Sequence, residues 1–182
     1  MISRFYGIWL QINLYIYQPL ILSSDNMTSQ LDKLDLKILR LLQENGRITN
    51  LQLATNIGLS PAPTLERVRK LENGGFIKSY HAFVDEEMLG LGIKSFIQIS
   101  LDFHTHNAIP EFVEAVKSIP EVTECHHVTG NCDFILKVYV KDIKAYEAVI
   151  MEKISKIPFV KTFQTMMIMS TSKKEPIIPL EY

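Results

Sequence analysis

Four residues, Gly58-Leu59-Ser60-Pro61, end one helix and begin the next, and that junction limits what the chain can fold into. A glycine after a helical run permits the left-handed backbone that closes a helix. Serine is a favoured N-cap, and proline is favoured as the first helical residue because an N–H there has no helical partner to lose. The helix before the junction carries its own start signal. Thr49 and Gln52 have the spacing of a capping box, and Ile48 and Leu53 that of a hydrophobic staple. Leu53, Ala54 and Ile57 then face inward. After the junction, Leu65, Val68 and Leu71 form the expected buried stripe, and Gly74-Gly75 ends the helix. Pro63 removes the N–H at N3, so the Ser60 hydroxyl is expected to cap the amide of Ala62. Two helices joined by about three residues around a glycine make a helix-turn-helix unit.

A further helix precedes the pair. Leu31, Leu34, Ile38 and Leu41 share one helical face, with Asp32 as N-cap and Asn45-Gly46 as stop. Residues 76–84, with Ile77, Tyr80 and Phe83, read as a β wing. In a helix-turn-helix unit the N-terminal residues of the second helix meet base edges in the major groove. Here those residues are Ser60, Ala62 and Pro63, and Ala62 suits a thymine methyl. Arg67 and Arg69 flank the apolar stripe and Lys70 lies nearly opposite it. All three are candidate phosphate contacts, which position a protein without specifying sequence. The alternative is a plain helical bundle whose charged face is solvated, with Glu66 and Lys70 paired one turn apart. Charge leans weakly toward DNA. The net charge is −1, but residues 31–82 carry eight basic side chains against five acidic, and residues 83–182 carry ten against fourteen.

The second half alternates in a different way. Residues 93–103 read as a strand, 109–119 as a helix, and 121–129 and 133–140 as a hairpin turning at Gly130-Asn131. Residues 142–157 read as a second helix, marked by Ile143, Tyr146, Val149, Ile150 and Ile154, and 159–170 as a last strand. The order βαββαβ is ferredoxin-like, so the fold class is α+β. One face of such a sheet lacks helices and must be covered, which points to a dimer. The turn Thr129-Gly130-Asn131-Cys132-Asp133 is the best ligand candidate. Its amides suit a carboxylate and Asp133 suits an ammonium, the two groups of an α-amino acid. The bland alternative is a hairpin whose aspartate satisfies local amides.

Residues 31–80 are also similar to the reader domain of the Lrp/AsnC, or feast/famine, family. The most specific stretches are Leu34-Asp35 with Ile38-Leu39, Asn45-Gly46-Arg47, Gly58-Leu59-Ser60-Pro61, the run Glu66-Arg67-Val68-Arg69-Lys70-Leu71-Glu72, and Gly75-Phe76-Ile77. The resemblance extends over residues 31–171. It implies a winged helix-turn-helix, a linking strand, and a ligand-responsive dimerisation domain in which Thr129, Gly130, Asn131 and Asp133 fall in the effector loop. The chain departs from the family at its N-terminus and at Ala62, where close relatives often carry a polar residue.

The expected organisation is an apolar extension (1–26), a reader (27–83), a linker (84–92), a dimerisation and effector domain (93–171) and a short mobile tail (172–182). Residues 5–22 are apolar, but Gln11, Asn13, Gln18 and Pro19 interrupt them, and they fit neither a spanning helix nor a signal peptide. Met27 is the preferred start. Cys125 and Cys132 make no disulfide framework, so a reducing, cytoplasmic compartment is expected. Cys125, His126, His127 and Cys132 lack a recognised zinc spacing, and Cys125 reads as a small buried hydrophobe. His104 and His106 read as surface loop. No metal, cofactor or catalytic constellation is expected. The expected function is a sequence-specific, DNA-binding transcriptional regulator, modulated by an amino acid or related small molecule at the subunit interface. Its partners are double-stranded DNA and itself, as a homodimer, tetramer or octamer. The alternative is an architectural DNA packer of low specificity without a ligand.

Overall fold

The computed structural model describes residues 31–102 and 107–180. The readings of residues 1–26, of Met27 as the start, and of His104 and His106 lie outside the described residues. The chain divides into two compact units. Unit 1 runs to Ala82 and takes the chain back again from Glu175; unit 2 spans Phe83–Lys174.

Unit 1 is three helices: α1 (Lys33–Glu44), α2 (Asn50–Ile57) and α3 (Pro61–Asn73). Short-range polar signals set their ends. Asp32 caps α1, accepting from the amides of Leu34 and Asp35, and the Asp35 carboxylate returns a bond to the Asp32 amide. Thr49 and Gln52 close the expected capping box on α2. Gly58 ends α2 at φ +78°, a conformation that side chains with a Cβ rarely adopt. Ile38, Leu53, Ile57 and Leu71 form the buried centre, with Leu34, Ile48, Val68, Phe76 and Ile77 packed around it.

Three expectations for α3 and its surroundings change. Leu65 is exposed, and Thr64 is buried in its place. The Thr64 hydroxyl donates to the Ser60 carbonyl (2.9 Å), so a polar residue sits inward without an unmet hydrogen bond. The inward stripe is therefore Thr64, Val68 and Leu71, at i, i+4 and i+7. Ser60 makes no side-chain cap; with no N–H at Pro61 or Pro63, only one free amide was within its reach. Residues 76–84 form the wing as a segment without a paired strand. The amides of Phe76 and Ile77 donate to the Leu71 carbonyl, and the Tyr80 hydroxyl donates to Glu72 Oε1 at 3.0 Å.

The tail also differs from expectation. The Gln43 side chain on α1 donates to the Ile178 carbonyl (3.2 Å) and accepts from the Ile178 amide (2.7 Å), so the returning chain is tied down.

Unit 2 is β1 (Ile93–Leu101), α4 (Ala108–Lys117), β2 (Val122–His127), β3 (Phe134–Val140), α5 (Ile143–Ala148) and β4 (Val160–Met167). The helix begun by α5 widens into a π-helical stretch, Val149–Lys153, and closes in a 3₁₀ turn, Ile154–Lys156. All strand pairs are antiparallel in the order β2-β3-β1-β4, the ferredoxin-like arrangement. Alternation divides the sheet. Ile97, Ile99, Leu101, Phe134, Leu136, Val138 and Val140 point into a core shared with Phe112, Val116, Val149, Ile150 and Ile154. Ile143, expected among them, is exposed at 58%. The residues between, including Phe96, Gln98, Ile135, Lys137 and Tyr139, belong to the other face and are partly exposed. Residues 84–92, the expected linker, lie in unit 2 as a turn capped by Asp85. Among the described residues no helix is long and apolar enough to cross a membrane.

Candidate nucleic-acid interface and effector turn

Helix α3 has two faces with different commitments. Thr64, Val68 and Leu71 go inward. Ser60, Ala62, Pro63, Glu66, Arg69 and Lys70 are all exposed. The Arg69 and Lys70 side chains make no ion pair or hydrogen bond among the described residues, and the Glu66–Lys70 pair that the spacing allows is not formed. The start of the helix is held by Asn50, whose Nδ2 donates to the Pro61 carbonyl at 2.8 Å. That bond ties the first turn of α2 to the first turn of α3.

Arg67 differs from the other candidate phosphate contacts in that its guanidinium is already paired within the reader. Its Nη1 donates to Asp35 Oδ1 (2.6 Å) and Asp32 Oδ2 (2.7 Å). The Asp35 side chain is only 1% exposed, and a buried carboxylate needs such a partner. Asp35 first, then Asp32, raises the Arg67 guanidinium further above its ordinary range. The Asp32 carboxyl is held below its ordinary value, first by the Asp35 amide that it accepts from and also by Arg67, which together outweigh burial. Arg67 therefore docks α3 on the start of α1. No signal in the sequence marks this tie, because its partners are 32 and 35 residues away.

In unit 2 the turn at residues 128–133 is closed by the Val128 amide donating to the Asp133 carbonyl, and the Asp133 amide donates to the Ile99 carbonyl. One Asp133 carboxylate oxygen accepts from the Leu101 amide at 2.8 Å. That amide lies on β1, 32 residues away in sequence, and the second Asp133 oxygen makes no hydrogen bond among the described residues. Gly130 has φ +127°, and open space lies where a Cβ would point. The amides of Thr129, Gly130, Asn131 and Cys132 make no hydrogen bond among the described residues, and Thr129, Gly130 and Asn131 are exposed.

Cys125 is exposed rather than a buried small hydrophobe, although partial burial still pushes its thiol up. His127 stacks on Phe134 with ring centroids 4.6 Å apart. Among the described residues no three His, Cys, Asp or Glu side chains gather as a metal site would require.

Known proteins place both halves. A family model described as winged helix-turn-helix DNA-binding matches residues 31–78, and one described as Lrp/AsnC ligand binding domain matches residues 94–178. The leucine-responsive regulatory protein of Escherichia coli K12 is 38% identical over 144 residues, covering 79% of this chain and 88% of that protein. A transcriptional regulator of Neisseria meningitidis, solved as its L-Met complex, superposes with a TM-score of 0.79 at 34% identity, covering 82% of this chain and 97% of the other. AsnC of E. coli superposes with a TM-score of 0.74 at 30% identity, covering 82% and 99%.

Proposed function

The chain belongs to the Lrp/AsnC family of transcriptional regulators, and from that premise we propose how its own residues read DNA and sense a small molecule. The observation that carries the proposal is the uncommitted face of α3. Ser60, Ala62 and Pro63 at its tip meet base edges in the major groove, and Arg69 and Lys70 contact phosphates. Arg67 serves by fixing α3 against α1.

The chain acts as a homodimer or higher assembly in the cytoplasm, with the open sheet face covered by a second copy. Two readers then address half-sites ~34 Å apart or at multiples of that spacing. The turn at residues 129–133 takes an α-amino acid. Its free amides hold the carboxylate, and the second Asp133 oxygen meets the ammonium. Apolar amino acids are the first class to test, since the relatives include a leucine-responsive protein and a methionine complex. The ligand shifts assembly or reader geometry only by binding one state better than another.

Fluorescence anisotropy on the chain's own upstream DNA and on random DNA, with and without leucine or methionine, tests this. Selective binding that moves with the amino acid is expected. Equal binding to both DNAs would replace the regulator by a DNA packer, and selective binding that no amino acid moves would return residues 129–133 to a structural turn. Lys70→Ala and Arg69→Ala should each lower the salt slope of binding by ~1.

A further inference from the structure

We infer that residues 175–180 are a latch for the first helix of the reader, and that Arg40 and Gln43 form its docking surface. The segment reads Glu175-Pro176-Ile177-Ile178-Pro179-Leu180. Each proline fixes its own φ and restricts the residue before it, so Glu175 and Ile178 favour an extended backbone before any contact forms. A segment ordered in advance loses less freedom on docking.

The surface on α1 is built to hold a backbone rather than particular side chains. Gln43 pairs in both directions with Ile178, its Nε2 on the carbonyl and its Oε1 on the amide. Arg40, three residues earlier and so on the same helical face, donates from Nη2 to the Leu180 carbonyl at 3.5 Å. All three bonds use the main chain of the tail. Just before the latch, Lys174 pairs with Glu86, and its Nζ lies 5.3 Å from the centre of the Phe83 ring. Both ends of the returning segment are thereby held.

The contacts leave the DNA-facing side chains alone. None involves Ser60, Ala62, Pro63, Arg69 or Lys70. The latch instead changes how unit 1 is attached. The chain reaches this unit twice, after Ala82 and at Glu175. With the latch seated, the reader is restrained through both crossings, and less freedom remains to be lost when it docks. That consequence rests on the DNA-reading role proposed above; the latch itself does not.

Amide hydrogen exchange on the full chain, free of DNA and amino acids, reads the latch directly. The Ile178 amide should exchange ~10-fold slower than in an unstructured peptide. Gln43→Ala should return it to the peptide rate while Ile38 in the reader core stays protected. Exchange of Ile178 at the peptide rate in the unaltered protein would overturn the latch, whatever its affinity for DNA. Removing residues 175–182 should then weaken binding to the upstream DNA by ~3–10-fold, as expected for losing contacts of this strength. A protected Ile178 with unchanged or tighter DNA binding after that removal would overturn the restraining role. Failure of the unaltered protein to bind any DNA would fall on the reading role alone, because the exchange measurement would still stand.

Discussion

The two units are held together by different physics. Among the described residues, the core of unit 2 gathers fourteen buried apolar side chains, from Ile97 to Ile157, whereas that of unit 1 gathers four. Unit 1 makes up the difference with directed polar bonds: two capping boxes, the Arg67 tie to Asp35 and Asp32, and the Asn50 bond to Pro61. Hydrophobic burial is non-directional and tolerates small shifts, while hydrogen bonds and buried ion pairs fail abruptly when geometry or charge changes. A reader built this way has its helix angles set by a few named atoms. A sheet packed on two helices has its shape set by volume.

The comparison breaks most easily in unit 2. Phe112 is fully buried and its ring lies 4.7 Å from that of Phe134. Phe112→Ala should cost ~3–5 kcal/mol. Amide exchange at Leu136 should accelerate accordingly while Ile38 changes little. Equal loss at both sites would mean that the units unfold as one body rather than by separate physics.

The next effect belongs to unit 1. Arg67→Met leaves the Asp35 carboxylate buried without its partner. The loss should be roughly 2–4 kcal/mol, below the limit for a fully desolvated pair because the Arg67 side chain keeps 29% of its exposure. It should appear at Ile38 and not at Leu136. Adding Asp35→Asn should recover part of it by removing the stranded charge. A double variant no better than the single one would show that Arg67 acts by packing alone. A smaller loss, ~1 kcal/mol, is expected from Thr49→Ala, again confined to the reader; thermal or denaturant unfolding of unit 1 would measure it.

Acid gives the finest test. The folded Asp32 carboxyl titrates below its ordinary 3.8. Its contribution is therefore present above 3.8 and is lost as pH falls through the lower, folded value. In Asp32→Asn the exchange protection of Ile38 should fall less steeply between neutral and acid pH than in the unaltered protein. An identical pH dependence would remove Asp32 from the account.

The same contrast explains what could be read from the sequence. Signals that act within a few residues were legible: the Thr49–Gln52 box, the Gly58 stop, the Asp32 cap and the alternation along β1 and β3. Thr64 was not, because apolar periodicity favours Leu65 and gives no weight to a hydroxyl that bonds back to Ser60. Arg67 read as a free cation, since its partners are remote in sequence and identical in type to solvated aspartates. The tail read as mobile because its anchor, Gln43, is 135 residues away. At the candidate site the exposed tip of α3 was legible by position. The division of Asp133 between the Leu101 amide and a free oxygen needed the neighbouring strand.

One feature of α3 bears on how selectivity would arise. With Pro61 and Pro63 in its first turn, the tip has shed two N–H donors, and the Thr64 amide already binds the Ser60 carbonyl. Around Ala62 and Pro63 such a tip offers few backbone donors to a base edge. On the reading proposed above, a base edge pressed against Ala62 and Pro63 gives up its hydration. A donor or acceptor there that finds no new partner costs ~1–3 kcal/mol, whereas a thymine methyl costs nothing to dry. At those positions the operator would be chosen by excluding base pairs whose polar edges are left dry, and the penalties would fall on mismatched DNA rather than the gains on the correct site.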